Sequence, residues 1–146
     1  MGQQQLLLVI LVTILVGIAT VVAINVFGTA AEDANRDAVR QDLLQGATAA
    51  QGVWAKPRML DGAGQDFTTV DADLIERLGM PITEGHNSCA AATDFGNENG
   101  CYTVGDILAD SFTITGVPTS GGASIVATIT RDDATRQWSV EMADVT

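Results

Sequence analysis

The spacing of apolar positions changes along this chain. From residue 6 to residue 27 almost every position is apolar, interrupted only by Thr13, Gly17, Thr20 and Asn25. Such a run has no polar face and reads as a helix that is apolar all round. After Gly28 and Thr29 the pattern becomes one-sided. Ala31, Ala34, Ala38, Val39, Leu43, Ala47, Ala50, Val53 and Trp54 recur at spacings of three and four. Glu32, Asp33, Arg36, Asp37, Arg40, Gln41, Asp42 and Gln45 lie between them and are assigned to a polar face. This predicts an amphipathic helix that ends at Lys56 and Pro57, since the residue before a proline avoids helical geometry. The two stretches together predict one long helix, with a bend at Gly28. At ~1.5 Å per residue, roughly fifty residues give about 75 Å, more than a small globule can contain, so the apolar half is expected to protrude.

Beyond residue 57 the period shortens. Residues 57–100 read as a connecting region. Within it a turn falls at Asp61 to Gly64, a short helix spans residues 71–78 and Gly79 caps it, and residues 85–100 form a loop rich in Asn, Gly and Ala. Residues 111–117, 123–131 and 136–143 then alternate apolar and polar positions. Phe112 and Ile114, then Ile125, Ala127 and Ile129, then Trp138, Val140 and Met142 supply the inner face. Turn-like breaks at Pro118 and Asp132 predict an antiparallel meander, to which residues 101–104 add a fourth strand. Its cover is the stripe of Leu43, Ala47, Val53 and Trp54, with Trp54 and Trp138 packing between helix and sheet. The expected fold class is α+β. Its parts are an apolar helix (1–28), its amphipathic continuation (29–56) and an acidic head (57–146) with loops over 57–100 and the meander over 101–146.

Charge sharpens the division. The 146 residues hold 18 Asp and Glu against 7 Lys and Arg, a net charge of −11, yet no charged residue precedes Glu32. An acidic surface repels polyanions, so no nucleic-acid binding is expected. Asp outnumbers Glu 13 to 5 and Lys56 is the sole lysine, a composition suited to solubility at high salt. The 22 residues from 6 to 27 would form a helix of ~33 Å, matching a hydrocarbon core of roughly 30 Å. A cleaved secretory signal has a basic leading region and an apolar core of roughly 7–15 residues, whereas this run is longer and follows Gln3, Gln4 and Gln5. A membrane anchor is therefore expected.

Cys89 and Cys101 close a short loop and read as a disulfide formed outside the cytoplasm. A zinc site would need further ligands, and His86 is the only histidine. No Cys or Ser nucleophile that stays free once the disulfide forms is expected beside His86, so neither catalytic residues nor an enzyme is expected. Asp94 to Gly100 lacks the spacing of a calcium loop, and Asp71, Asp73 and Glu76 read as acids in the first turn of a helix. No metal or other cofactor is expected.

A long N-terminal helix, apolar then amphipathic, followed by a loop, an antiparallel sheet and a late disulfide, resembles the type IV pilins and pseudopilins. At motif level the resemblance rests on Gly2, where the family's leader peptidase would cut before Gln3, and on the run that follows from Gln3 to Leu11. The family carries an aromatic first mature residue and a glutamate at the fifth mature position, where this chain has Gln3 and Leu7. The resemblance implies a subunit inserted in the inner membrane. There a pilus assembly machinery would polymerise it with copies of itself into a filament at the cell surface. The filament core would be Leu6, Leu7, Leu8, Ile10, Leu11, Ile14, Leu15, Gly17, Ile18, Val21, Val22, Ile24 and Phe27. Two readings of Thr13, Thr20, Asn25 and Gly17 stand side by side: hydrogen bonds between helices with close approach or local unwinding at Gly17, or simple tolerance of all four within an ordinary anchor. The alternative is a monomeric single-pass protein with a periplasmic or surface binding domain.

Overall fold

The computed structural model describes residues 2–70 and 73–145. α1 runs from Gly2 to Ala55 without interruption through Gly17, Gly28, Gly46 or Gly52. No proline occurs before Pro57, and Ala, Leu and Val carry the helix past its four glycines. The chain divides into two units, Met1–Ala34 and Asn35–Thr146. In the first, every described side chain up to Ala31 is exposed.

In the second unit, α1 is closed by the segment that follows it. The N–H groups of Ala63, Gly64 and Gln65 donate to the carbonyls of Val53, Lys56 and Trp54, at 2.8, 2.8 and 2.9 Å. They satisfy acceptors that the last helical turn leaves open. Gly62 sits so close to the Lys56 backbone that a Cβ there would collide with it.

The sheet has six strands in the order β1-β2-β3-β4-β5-β6, all antiparallel: β1 (Thr83–Glu84), β2 (Phe95–Gly96), β3 (Gly100–Gly105), β4 (Ser111–Pro118), β5 (Ser124–Arg131) and β6 (Trp138–Val145). The three long strands fall where alternation places them, and the fourth begins at Gly100. The helix and the inner sheet face meet through Val39, Leu43, Ala47, Ala50 and Val53 on one side and Tyr102, Phe112, Ile114, Ile125, Ala127 and Ile129 on the other, all buried. The α+β class, the long N-terminal helix and the antiparallel sheet with one disulfide are thus the observed architecture.

Three expectations need correction. Residues 57–100 are more than a connection, because Ala63, Phe67, Val70, Leu74, Ile75, Leu78 and Met80 are all buried in the common core. Phe67 lies on a 3-10 turn at Phe67–Thr69 and Leu74 and Ile75 on α2 at Leu74–Arg77, pieces too short to show a period; Ala63, Val70, Leu78 and Met80 lie outside any helix or strand. The expected helix start at Asp71 falls outside the described residues. Within the stretch 85–100 assigned to loop, Phe95 and Gly96 pair with Cys101 and Tyr102 and with Thr83 and Glu84, extending the sheet by two short strands. Finally, β6 keeps its alternation but as an edge strand, so inward-facing Val140 stays 37% exposed while its partner Ile129 is fully buried.

Candidate functional site

Two regions can carry function: the exposed apolar helix and the polar surfaces of the head. In the first, all sixteen large apolar side chains between Leu6 and Phe27 are exposed, every predicted filament-core residue of that size among them. Gly17 has open space around it. Among the described residues, α1 is the one helix long and apolar enough to cross a membrane, and by its position it suits an anchor or a signal. The hydroxyls of Thr13 and Thr20 are committed within the helix, donating to the carbonyls of Ile10 at 2.9 Å and Val16 at 2.8 Å. Each hydroxyl proton is thus directed at the preceding turn of its own helix, a back-bond that slightly bends or destabilises helices, while its oxygen lone pairs stay free to accept. Asn25 remains as the polar side chain between residues 6 and 27 with no hydrogen bond of its own. At the expected leader cleavage point between Gly2 and Gln3, a Cβ placed on Gly2 would meet nothing within 4 Å beyond the helix itself.

The head is joined by a polar cluster absent from the sequence reading. Asp42, assigned to the polar face, is only 9% exposed. Its Oδ2 accepts from Tyr102 Oη at 2.6 Å, Asn97 Nδ2 at 2.8 Å and Asn99 Nδ2 at 2.9 Å. It stands three residues after Val39 and four before Gly46, on the buried stripe itself, so helical spacing carried the signal that residue type obscured. Burial first and the Asp42 carboxylate second push the Tyr102 hydroxyl far above its ordinary value. Two turns earlier Asn35 donates to Asn99 O at 2.9 Å and accepts from Ser120 N and Oγ at 3.1 and 2.8 Å. Arg36 and Arg40 reach Asp144 on β6 at 3.0 and 3.2 Å.

The Cys89–Cys101 disulfide closes the loop that carries these asparagines. Contrary to expectation, a serine does stand against His86: Ser88 Oγ lies 3.0 Å from Nδ1. Its proton, however, is directed at Gly100 O, 3.0 Å away, while Nδ1 accepts the Ser88 backbone N–H at 3.2 Å. The pair therefore closes a turn. In the stretch 94–100, Asn97 Oδ1 accepts the N–H groups of Asn99 and Gly100, so its oxygen serves the turn itself. Among the described residues no group of three His, Cys, Asp or Glu is arranged around a common metal position; Asp71 lies outside them.

At the end of α1, Trp54 and Trp138 meet edge to face at 5.8 Å, half-buried rather than fully enclosed. Phe67 bridges Trp138 and Phe112, and the Arg131 guanidinium lies 4.1 Å from the Trp54 ring centre. An open cleft beside them is lined by Gln65, Asp66, Asp110, Arg131 and Arg136. Burial and the neighbouring Asp133 raise the Asp110 carboxyl above its usual range. Compared with known proteins, the chain matches no family model, no curated protein and no solved structure.

Proposed function

We propose that this chain is a structural subunit that polymerises through residues 6–27 into a pilus-like filament at the cell surface, with its acidic head outward. One observation carries the reading: sixteen large apolar side chains stand exposed on a helix that runs on, without a linker, into the helix covering the head sheet. A monomeric anchor is ordinarily joined to its head by a flexible connection. Relative to exposure in water, covering half of those side chains with neighbouring copies would gain about 12–24 kcal/mol gross per subunit, at ~1.5–3 kcal/mol each. Before assembly the same surface suits the bilayer core, which makes the membrane the precursor's location. With the threonine hydroxyl protons committed internally, the Asn25 amide is left to bond a neighbouring helix, a type of contact worth ~1–2 kcal/mol in membranes.

The test is a charge in the apolar face. Leu15→Lys should abolish filaments while the head keeps its disulfide and its fold, because a lysine has no partner in an uncharged bundle. Unchanged filaments in that variant would contradict the reading. A head that captures a ligand or partner while the chain never polymerises would favour a single-pass binding protein.

A further inference from the structure

The cations of the head are unevenly committed. Arg36 and Arg40 pair with Asp144, Arg77 with Asp61 and Asp73, and Arg131 with Asp133. Among the described residues, Lys56, Arg58 and Arg136 have no carboxylate within 4.0 Å. Two of these three lie within residues 56–60, where every residue is exposed. The same five residues hold Met59, at 96% the most exposed large apolar side chain among the described residues, and Leu60. Arg58 acts at longer range on the Asp66 carboxylate but is tied in no ion pair, so unpaired positive charge and exposed apolar surface coincide on one loop, immediately after α1.

The rest of the head is acidic. Of the 18 acids only Glu32 and Asp33 precede residue 35, leaving 16 against all 7 bases, a net charge of −9. Two such heads repel unless a cationic patch on one meets an acidic patch on the other. The complementary patch lies at the other end of the head helix. Glu98 has a 97% exposed side chain, and the one basic group near it is His86 Nε2 at 3.7 Å. Its turn is fixed by Asn97 and Asn99 to Asp42, and by Asn99 to Asn35. Asp42 and Lys56 are 14 residues apart, about 21 Å along the axis. Val117, exposed on β4 opposite Cys101, gives that pole an apolar seat as well.

We propose that the loop 56–60 of one copy docks on the Glu98 turn of a second copy, Lys56 and Arg58 facing the carboxylate and Met59 the Val117 surface. A contact between different poles is heterologous, and repeated without closure it generates an open helical polymer. A closed two-fold pair satisfies both poles only with the two copies antiparallel, whereas subunits that share one filament core run parallel. This contact rests on the filament reading and gives it a head-to-tail polarity.

Lys56 is the only lysine, which makes the test direct. Filaments assembled from a mixture of isotopically light and heavy chains are treated with a zero-length carbodiimide, which joins amines to touching carboxylates, and digested for mass spectrometry. The expected result is a Lys56–Glu98 link with light–heavy pairs, lost in Glu98→Gln filaments. In parallel, Lys56→Glu with Arg58→Glu should lower filament yield about tenfold at low salt, and adding Glu98→Lys should restore it. Lys56 found unreacted, or joined to other carboxylates, in intact filaments overturns the contact and leaves the filament reading standing. Absence of any polymer from the unaltered chain overturns both.

Discussion

Replacing Asp42 by alanine should cost more stability than any other single truncation on the polar residues of α1. The perturbation removes one carboxylate oxygen that accepts three hydrogen bonds, at 2.6, 2.8 and 2.9 Å. Hydrogen bonds to charged groups contribute ~1.5–3 kcal/mol each, but the three are not additive, and Asn97 and Asn99 can turn to water. Tyr102 cannot, because its ring and hydroxyl are fully buried. An unsatisfied buried hydroxyl costs ~1–3 kcal/mol, and the variant leaves only neutral donors behind, with no stranded buried charge. About 2–4 kcal/mol is therefore expected, a large part of the ~5–15 kcal/mol that holds a domain together. The assay is urea unfolding of the full chain in detergent micelles, followed by near-ultraviolet circular dichroism of Tyr102 and the tryptophans. Asp37→Ala is the control. Asp37 is exposed and pairs only with Arg40 one turn away, so it should change stability by less than ~1 kcal/mol. A loss below ~1 kcal/mol for Asp42→Ala would refute the claim that this cluster joins helix to disulfide loop. Tyr102→Phe should cost less, and the double variant should be markedly less destabilised than the sum of the two singles.

Gly116→Ala should destabilise the head by ~1–3 kcal/mol in the same assay, because its Cβ would lie 2.6 Å from Val39 Cγ1 and 3.3 Å from the Tyr102 ring, and neither can move away. Replacing Cys89 and Cys101 by serine opens a loop with a sequence separation of 12 and should cost about 3 kcal/mol; combined with Asp42→Ala the loss should fall short of the sum, since both loosen the same asparagines. Tyr102 is the sole tyrosine, so its ionisation can be followed by absorbance. Its folded pKa is raised above the unfolded value of 10.0. Below pH 10 both states keep the proton and stability does not change through this group. Above it the unfolded chain releases the proton while the folded chain retains it, so stability should fall by up to about 1.4 kcal/mol per pH unit. Tyr102→Phe should remove that slope, and ionisation of the folded protein near pH 10 would contradict the buried hydrogen bond.

What the sequence made legible was whatever repeats. The run from Leu6 to Phe27 and the stripe from Val39 to Val53 are long enough for their periods to stand out, and the alternation around Ile114 and Ile125 places two central strands and their inner faces. The residues that escaped are those whose neighbours are distant along the chain. Phe67 and Leu74 are core residues on pieces of three and four residues, where no period can form. Asp42 occupies a buried position that its residue type argued against, and its partners Asn97, Asn99 and Tyr102 follow 55 to 60 residues later. Asn97 and Asn99 read as turn residues because asparagine favours turns; they form one, and also donate across to the helix. Likewise the segregation of Lys56 and Arg58 from the other bases becomes visible only once the arginines are seen in their ion pairs.

We propose the exposed apolar helix as an assembly surface. Its most direct test is electron microscopy of material sheared from the surface of cells producing the chain, with mass spectrometry of the purified polymer. Thin filaments composed of this chain are expected, with residues 6–27 protected from protease in the intact polymer and the head surface accessible. Recovery of the chain only from washed membranes, with no polymer in the sheared fraction, would contradict it.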